Sequence, residues 1–145
     1  MVEEEAPQIN PASQASFKML KPKVLKTFLE KGLGPGISTI VIFSNVEGSI
    51  IARAGEDNNI HSQSAVLANI CHEYIEFGME AFNNNNLKTI FISIDNANYI
   101  AKPIHSLILC FVCKKDVNLG LMRTKIDLMA ECLEEKLKSI AEYLV

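Results

Sequence analysis

The sequence has little of what marks several large functional classes. Its net charge is −3, from 14 basic and 17 acidic residues, and its aromatic residues do not alternate with Lys or Arg. Because there is no basic excess to neutralise phosphates, we expect no nucleic-acid binding. No apolar run approaches the ~20 residues of a membrane span, and the longest, Leu107–Cys113, is the size of a strand.

The start of the chain also lacks the pattern of an export signal. Residues 1–6 carry three consecutive glutamates and no apolar core, so we expect no signal peptide. The four cysteines are therefore expected to be reduced thiols of a cytosolic protein. With 145 residues, 48% of them apolar, the chain is long enough to bury one substantial core without disulfides.

Metal-binding, cofactor-binding and phosphate-binding patterns are missing as well. Cys110 and Cys113 form a CxxC pair, but inside a strand this odd separation sends the two thiols to opposite faces, whereas a metal or redox site needs them together. The loop Gly32–Gly36 follows a helix and leads into a strand, which is the reverse of a phosphate-binding loop. We therefore expect no metal, no cofactor and no catalytic residue.

A cysteine-dependent enzyme is the alternative to a non-catalytic protein. Cys71 or Cys110 would be its nucleophile, with His105 as a base, although the three histidines are isolated in the sequence and no nucleophile elbow is present. Cys71 and Cys132 both fall on apolar faces of predicted helices. A packing role is therefore expected for all of the cysteines.

Apolar periodicity predicts an α+β sandwich with the element order α-β-β-α-β-β-β-α. Its sheet is expected to have five mostly antiparallel strands with helices on both faces. Residues 1–18, rich in Glu, Pro, Ser and Gln, are expected to be a disordered tail, and residues 19–145 one domain. The predicted elements are a helix from Pro22 to Gly32, strands Ile37–Ser44 and Ser49–Ala54, helix Ser62–Phe82, strands Leu87–Asp95, Tyr99–Lys102 and Leu107–Cys113, and a helix from Asn118 to the C-terminus.

The middle helix, Ser62–Phe82, has an unusually wide apolar surface. At ~100° per residue its apolar side chains cover an arc of roughly 220°, about twice the usual width for a helix on one sheet. We expect Ser62 or Ser64 to cap this helix, and one side of the arc to contact a partner protein. The following strand has neither proline nor charge over Thr89–Ser93, so it could extend the sheet by pairing with a second chain if it lies at an edge. The polar residues gather in one narrow stripe of Asn69, His72, Glu73, Glu76 and Glu80.

Several segments, in this order, resemble the roadblock (dynein light chain) domain family, and most closely the branch that supplies the second subunit of the Ragulator complex. The hairpin Asn45–Ala52 and the link Ala81–Lys88 carry much of the resemblance, which covers about residues 19 to 141. The first 18 residues are extra, and the run Asn83–Asn86 is neutral where family members often carry acidic residues. Further similar segments are Met19–Lys23, Asn69 and Ile70 with Tyr74, Leu107–Cys110 and Leu133–Glu135.

The resemblance implies a scaffold or adaptor without covalent chemistry. Family members pair with another roadblock subunit through the middle helix and the third strand, here Ser62–Phe82 and Leu87–Ile94. In Ragulator, a lipid-anchored subunit wraps the pair on late endosomes and lysosomes, so that contact with the membrane is indirect. The complex docks Rag-type GTPases for TOR signalling and supports MAPK signalling. The alternative within the family is a homodimeric regulator of a small GTPase or a dynein light chain.

We expect seven apolar positions to form the partner interface, although the helical arc leaves open which of its sides faces the sheet. A small-molecule sensor with a similar sandwich is a further alternative, but it would need an internal pocket. The bulky strand Leu107–Cys113 instead predicts a filled core. The expected interface positions are Leu67, Cys71, Ile75, Gly78 and Phe82 of the helix, with Ile90 and Ile92 of the strand.

Overall fold

A computed structural model describes residues 22–56, 60–83, 87–94 and 96–144 of the chain. The tail expected over residues 1–18 lies outside the described residues. The element order is the predicted one. In sequence, the elements are α1 (Pro22–Gly32), β1 (Ile37–Ser44), β2 (Ile50–Gly55), α2 (Ile60–Phe82), β3 (Ile90–Ile94), β4 (Ala97–Ile104), β5 (Leu107–Cys113) and α3 (Leu119–Leu144).

The five strands form one antiparallel sheet in the order β2-β1-β5-β4-β3. The last strand in sequence, β5, is therefore central, and all seven of its residues are buried. A strand that is apolar at every position is typical of one covered on both faces. The α+β sandwich predicted from the sequence is confirmed, and its two edge strands are β2 and β3.

The helices divide between the two faces of the sheet. On one face, Leu29 of α1 and Ile126 of α3 pack with Phe111 of β5 in one buried cluster. On the other face, Leu67 of α2 packs with Ile108 in a second cluster. Because successive strand residues point to opposite faces, neighbouring residues of β5 belong to different clusters.

The two cysteines of the CxxC pair follow this alternation. Cys110 belongs to the cluster under α2, and Cys113 belongs to the cluster under α1 and α3. Their separation by the sheet confirms the prediction that they pack on opposite faces. Cys132, in contrast, is exposed on α3, so its predicted packing role is wrong. Its position is one residue before the buried Leu133, at the outer boundary of the apolar stripe of α3.

Local sequence signals determine where the first and last helices begin. Pro22 occupies the first turn of α1, where its missing N–H removes no helical hydrogen bond. At the start of α3, Asn118 Oδ1 accepts a hydrogen bond from the backbone N–H of Leu121 at 3.1 Å. This is the geometry of an N-cap, so Asn118, the predicted first residue of the helix, caps it.

The start of α2 differs from the prediction. The helix begins at Ile60, a fully buried residue, so Ser62 and Ser64 lie inside it and neither caps it. The Ser64 hydroxyl instead donates to the carbonyl oxygen of Gly48 at 2.7 Å, which ties α2 to the β1–β2 turn. The apolar Ile60 packs in the cluster beneath the helix, so the helix extends two residues before its first serine.

Strand β4 is also longer than the predicted strand Tyr99–Lys102, since it begins at Ala97 and continues through Pro103 to Ile104. Strand β3 pairs with β4 only as far as Ala101. Beyond that point none of the described strands lies on the β3 side of β4, so a residue without an N–H is tolerated there. The turn falls at residues 105–106, with His105 in the left-handed region at φ 55°.

None of the described helices has the length and apolar content of a membrane span.

Candidate protein-binding interface

The middle helix is longer than the part of the sheet that it covers. Its 23 residues span about 34 Å at ~1.5 Å per residue. Five residues spaced three or four apart lie along one face of it, and the last three are more exposed than the first two. Leu67 is 5% and Cys71 1% exposed, Ile75 and Gly78 are half-buried, and Phe82 is 72% exposed. None of residues 72–82 is buried, so the second half of α2 projects beyond the sheet.

This gradient divides the expected interface positions into two groups. Leu67 and Cys71 pack in the cluster beneath α2 and contribute to the core of the single chain. Ile75, Gly78 and Phe82 lie on the projecting half, where a second chain could contact them. The sequence periodicity gives the stripe correctly, but the point at which the sheet ends beneath it depends on the tertiary structure.

A pair of neighbouring grooves separates α2 from β3. One, of about 360 Å³, lies beside the first half of the helix, and the other, of about 510 Å³, lies beside its middle. Ile70 and Ile92 line both grooves, and Ile90 lines the second. The strand positions Ile90 and Ile92 are half-buried and pack against the cluster beneath α2. The structure thus brings the two predicted strand positions to the side of α2 that faces β3.

Further apolar side chains enlarge this surface. Tyr74 and Phe77 are 56% and 54% exposed, and the rings of Phe77 and Phe82 meet edge to face with centroids 5.8 Å apart. Exposed aromatic clusters of this kind are typical of protein interfaces. These residues belong to the apolar arc predicted from the sequence. The periodicity did not show whether they face the sheet or the solvent. Other exposed apolar residues on α2 and β3 are Val66, Met79, Phe91 and Ile94.

Strand β3 is an edge of the sheet, as the partner hypothesis requires. It pairs with β4 on one side, and its five residues include neither proline nor a charged residue. Lys115 Nζ donates to Ser93 Oγ at 2.6 Å and to the carbonyl oxygen of Ile94 at 2.7 Å, which holds the end of the strand in place. An ordered, uncharged edge is suited to pairing with a strand of another chain.

A polar stripe runs along the outer side of α2. Its members are exposed, and His72 Nε2 lies 3.2 Å from Glu76 Oε2 one turn further along. Glu73 and Glu80 extend the stripe, and the helix contains no Lys or Arg. The stripe is therefore a solvent-exposed face of the helix, and it places carboxylates beside the apolar arc.

The buried thiols are poorly suited to nucleophilic chemistry. Burial raises the pKa of Cys71 from 9.0 to about 11, and burial also raises the pKa of Cys110. The thiolate is the reactive form, so these groups are mostly unreactive near neutral pH. His105 Nε2 lies 3.5 Å from Glu134 Oε2 of α3, on the opposite side of the sheet from Cys71. Within the described residues, no group of three His, Cys, Asp or Glu side chains could hold a metal ion.

Solved structures of other proteins share the fold of this chain. A comparison with protein-family models finds no match. Myxococcus xanthus MglB superposes with a TM-score of 0.71 at 14% identity, over 97% of this chain and 96% of that one. A roadblock/LC7 domain from Streptomyces avermitilis gives 0.66 at 11% identity, over 82% and 96% of the two chains. The chain has the roadblock fold.

The roadblock likeness seen in the sequence is therefore confirmed at the level of the fold. The gliding protein MglB from Thermus thermophilus matches similarly, with a TM-score of 0.61 at 13% identity over 98% of this chain and 99% of that one. These identities show a shared fold and do not distinguish one roadblock subunit from another. The projecting half of α2, the two grooves and the edge strand β3 are together called the α2–β3 surface below.

Proposed function

We propose that the chain is a roadblock-type binding module that pairs with a second roadblock chain through the α2–β3 surface. The observation that carries this proposal is the combination of an apolar, aromatic-rich helix half without a sheet beneath it and an uncharged edge strand beside it. The helix half exposes apolar side chains to water, and the edge strand exposes unpaired backbone groups. One partner that packs on α2 and pairs with β3 would cover both.

We propose further that the pair acts as a regulator or adaptor of a small GTPase, as its resemblance to roadblock proteins implies. Self-association is the first form to test, because the neighbouring folds include a structure described as MglB with tetrameric arrangement, at a TM-score of 0.68 and 11% identity. In this form the chain would be a homodimeric regulator of a small GTPase or a dynein light chain.

A heteromeric form is the second candidate, and the acidic border of α2 favours it. In a twofold-symmetric pair the same patch is contributed by both chains, so Glu73 and Glu80 would approach acidic groups of the second copy. Like charges across an interface are unfavourable, whereas a partner with Lys or Arg at its border would be attracted. This form matches the Ragulator-like scaffold, with a different roadblock subunit, a lipid-anchored wrapping subunit and Rag-type GTPases at late endosomes and lysosomes.

Sedimentation velocity of the purified chain over a range of concentrations tests the pairing. The wild-type chain is expected to form pairs, and Phe77→Asp, which puts a charge on the α2–β3 surface, is expected to remain monomeric. Leu121→Asp is the matched control, because Leu121 is 64% exposed on α3, across the sheet from α2. A wild-type monomer that pairs only with a different roadblock chain would select the heteromeric form. A chain that pairs with neither would contradict the proposal.

Binding to purified Ras-type and Rag-type GTPases, each loaded with GDP or a GTP analogue, tests the second half of the proposal. The paired chain is expected to bind at least one of these GTPases with a preference for one nucleotide state. Paired protein that binds no GTPase in either state would leave pairing intact and overturn the regulatory role.

A further inference from the structure

A third groove lies on the face of the molecule opposite the α2–β3 surface. It runs between α1 and the second half of α3 and has a volume of about 290 Å³. Its lining combines three ammonium groups with two apolar side chains and contains no carboxylate. The residues that line it are Lys23, Val24, Thr27, Phe28, Lys31 and Lys136.

The groove has an apolar floor and a basic mouth. Val24 is 47% exposed and Phe28 is half-buried, so both present apolar surface to the groove. Lys136 Nζ lies 5.1 Å from the centroid of the Phe28 ring, a distance at which a cation is attracted to the ring face. Nearby carboxylates such as Glu30 and Glu135 are exposed and do not line the groove. This lining suits a segment that carries acidic side chains next to an apolar one.

The N-terminal segment of the same chain has that chemistry. Residues 1–21 precede α1 and lie outside the described part of the chain, and they include the run Val2-Glu3-Glu4-Glu5. The 16 residues between Glu5 and Pro22 can span about 50 Å when extended, at ~3.3 Å per residue. The 11-residue α1 is only about 16 Å long. Every lysine of the groove is therefore within reach of the three glutamates.

We propose that residues 2–5 dock in the groove between α1 and α3 of their own chain. Glu3, Glu4 and Glu5 pair with the ammonium groups of Lys23, Lys31 and Lys136, and Val2 packs on the apolar floor. A covalent tether raises the effective concentration of the segment at the groove, so weak contacts suffice. The segment thus covers the α1–α3 face, which an acidic partner could occupy only by displacing it.

The proposal is independent of pairing, because the groove and the α2–β3 surface lie on opposite faces of the sheet. Exposed ion pairs are weakened by salt. The docked segment is therefore expected to be present in the Phe77→Asp monomer and to be released at high ionic strength. Neither property follows from the proposed function alone.

Carbodiimide cross-linking of the full chain, read by mass spectrometry, tests the proposal, since it joins a carboxylate only to an ammonium group in direct contact. At about 0.1 M salt we expect Glu3–Glu5 to be joined to Lys23, Lys31 and Lys136. These products should be lost at about 1 M salt, where the Debye length falls from about 10 Å to about 3 Å. Lys88 and Lys114, exposed elsewhere on the surface, are the internal controls.

Variants and isotope mixing complete the test. The double substitution Lys31→Gln with Lys136→Gln should remove most of the cross-links formed by Glu3–Glu5, whereas Lys114→Gln should not change them. In a mixture of isotope-labelled and unlabelled chains, each product should come from one chain. Cross-links spread evenly over Lys88 and Lys114, products that join two different chains, or the absence of glutamate products would each overturn the proposal.

Discussion

Leu67 and Phe82 lie on one face of α2 and yet belong to different environments. Leu67 is 5% exposed against the sheet, whereas Phe82 is 72% exposed beyond it. Apolar side chains on one face therefore stabilise the single chain in the first half of the helix and are available to a partner at its end. Substitutions along this face should separate the two effects.

Leu67→Ala and Phe82→Ala are expected to act on different equilibria. Leu67→Ala should lower the free energy of unfolding by about 2–5 kcal/mol, because it leaves a cavity in the core. Phe82→Ala should change it by less than about 0.5 kcal/mol, as is usual for an exposed position, but should weaken pairing. Urea unfolding in the monomeric Phe77→Asp background measures the first effect, and sedimentation of the single variants measures the second. Equal destabilisation by both would contradict the division of α2 into two halves.

The thiols give a second prediction at this scale. Burial raises the pKa of Cys71 and of Cys113 from 9.0 to about 11. The folded state therefore favours the neutral thiols, and the stabilisation is complete below pH 9 and lost as the pH rises from 9 to about 11. A disulfide exchange reagent at pH 8 should modify the exposed Cys132 promptly and the other three cysteines only after unfolding. Rapid modification that persists in Cys132→Ser would contradict the buried placement of the others.

At the scale of elements, the edge strand β3 is held by a contact from outside its own ladder. It pairs with β4 alone, and the Lys115 side chain bonds both Ser93 and Ile94 at its end. A lysine from the β5–α3 loop thus helps to hold an edge strand in a conformation that another chain can pair with. Removing the contact made by Lys115 should therefore weaken the interface, even though Lys115 itself need not touch the partner.

Lys115→Met is expected to speed amide hydrogen exchange in Ile90–Ile94 several-fold and to weaken pairing modestly, because the exposed contact contributes about 1 kcal/mol or less. Lys114→Met is the matched control, since Lys114 is the neighbouring exposed lysine on the same loop. Exchange rates measured on both variants by mass spectrometry show whether β3 depends on the Lys115 contact. An unchanged β3 in Lys115→Met would show that the strand does not depend on this contact.

The sequence predicts elements well where the signal is local. The bounds of β1 and β5 match their apolar runs, and the Asn118 cap marks the start of α3. The start of α2 and the path of β4 through Pro103 depend on packing and on which strands are neighbours, and neither is encoded locally. For the same reason the apolar arc predicts that α2 needs a second neighbour, but the structure is needed to show where the sheet ends beneath it.

At the scale of the whole molecule, the sheet separates two surfaces of different chemistry. The α2–β3 surface is apolar with an acidic border, and the α1–α3 groove is apolar with a basic mouth. Pairing with a roadblock chain is proposed for the first surface and docking of the N-terminal segment for the second. Because the five-stranded core between them is filled by bulky side chains such as Phe43 and Phe111, each surface can be altered without the other.

Hydrogen exchange of the wild-type chain, followed while it pairs with itself or with its partner roadblock chain, tests the central claim most directly. The amides of β3 and of residues 72–82 in α2 are expected to gain protection in proportion to the paired fraction. The other edge strand, β2, should exchange as it does in the monomer. Pairing that protects β2 or the α1–α3 face and leaves β3 unchanged would contradict the assignment of the α2–β3 surface as the interface.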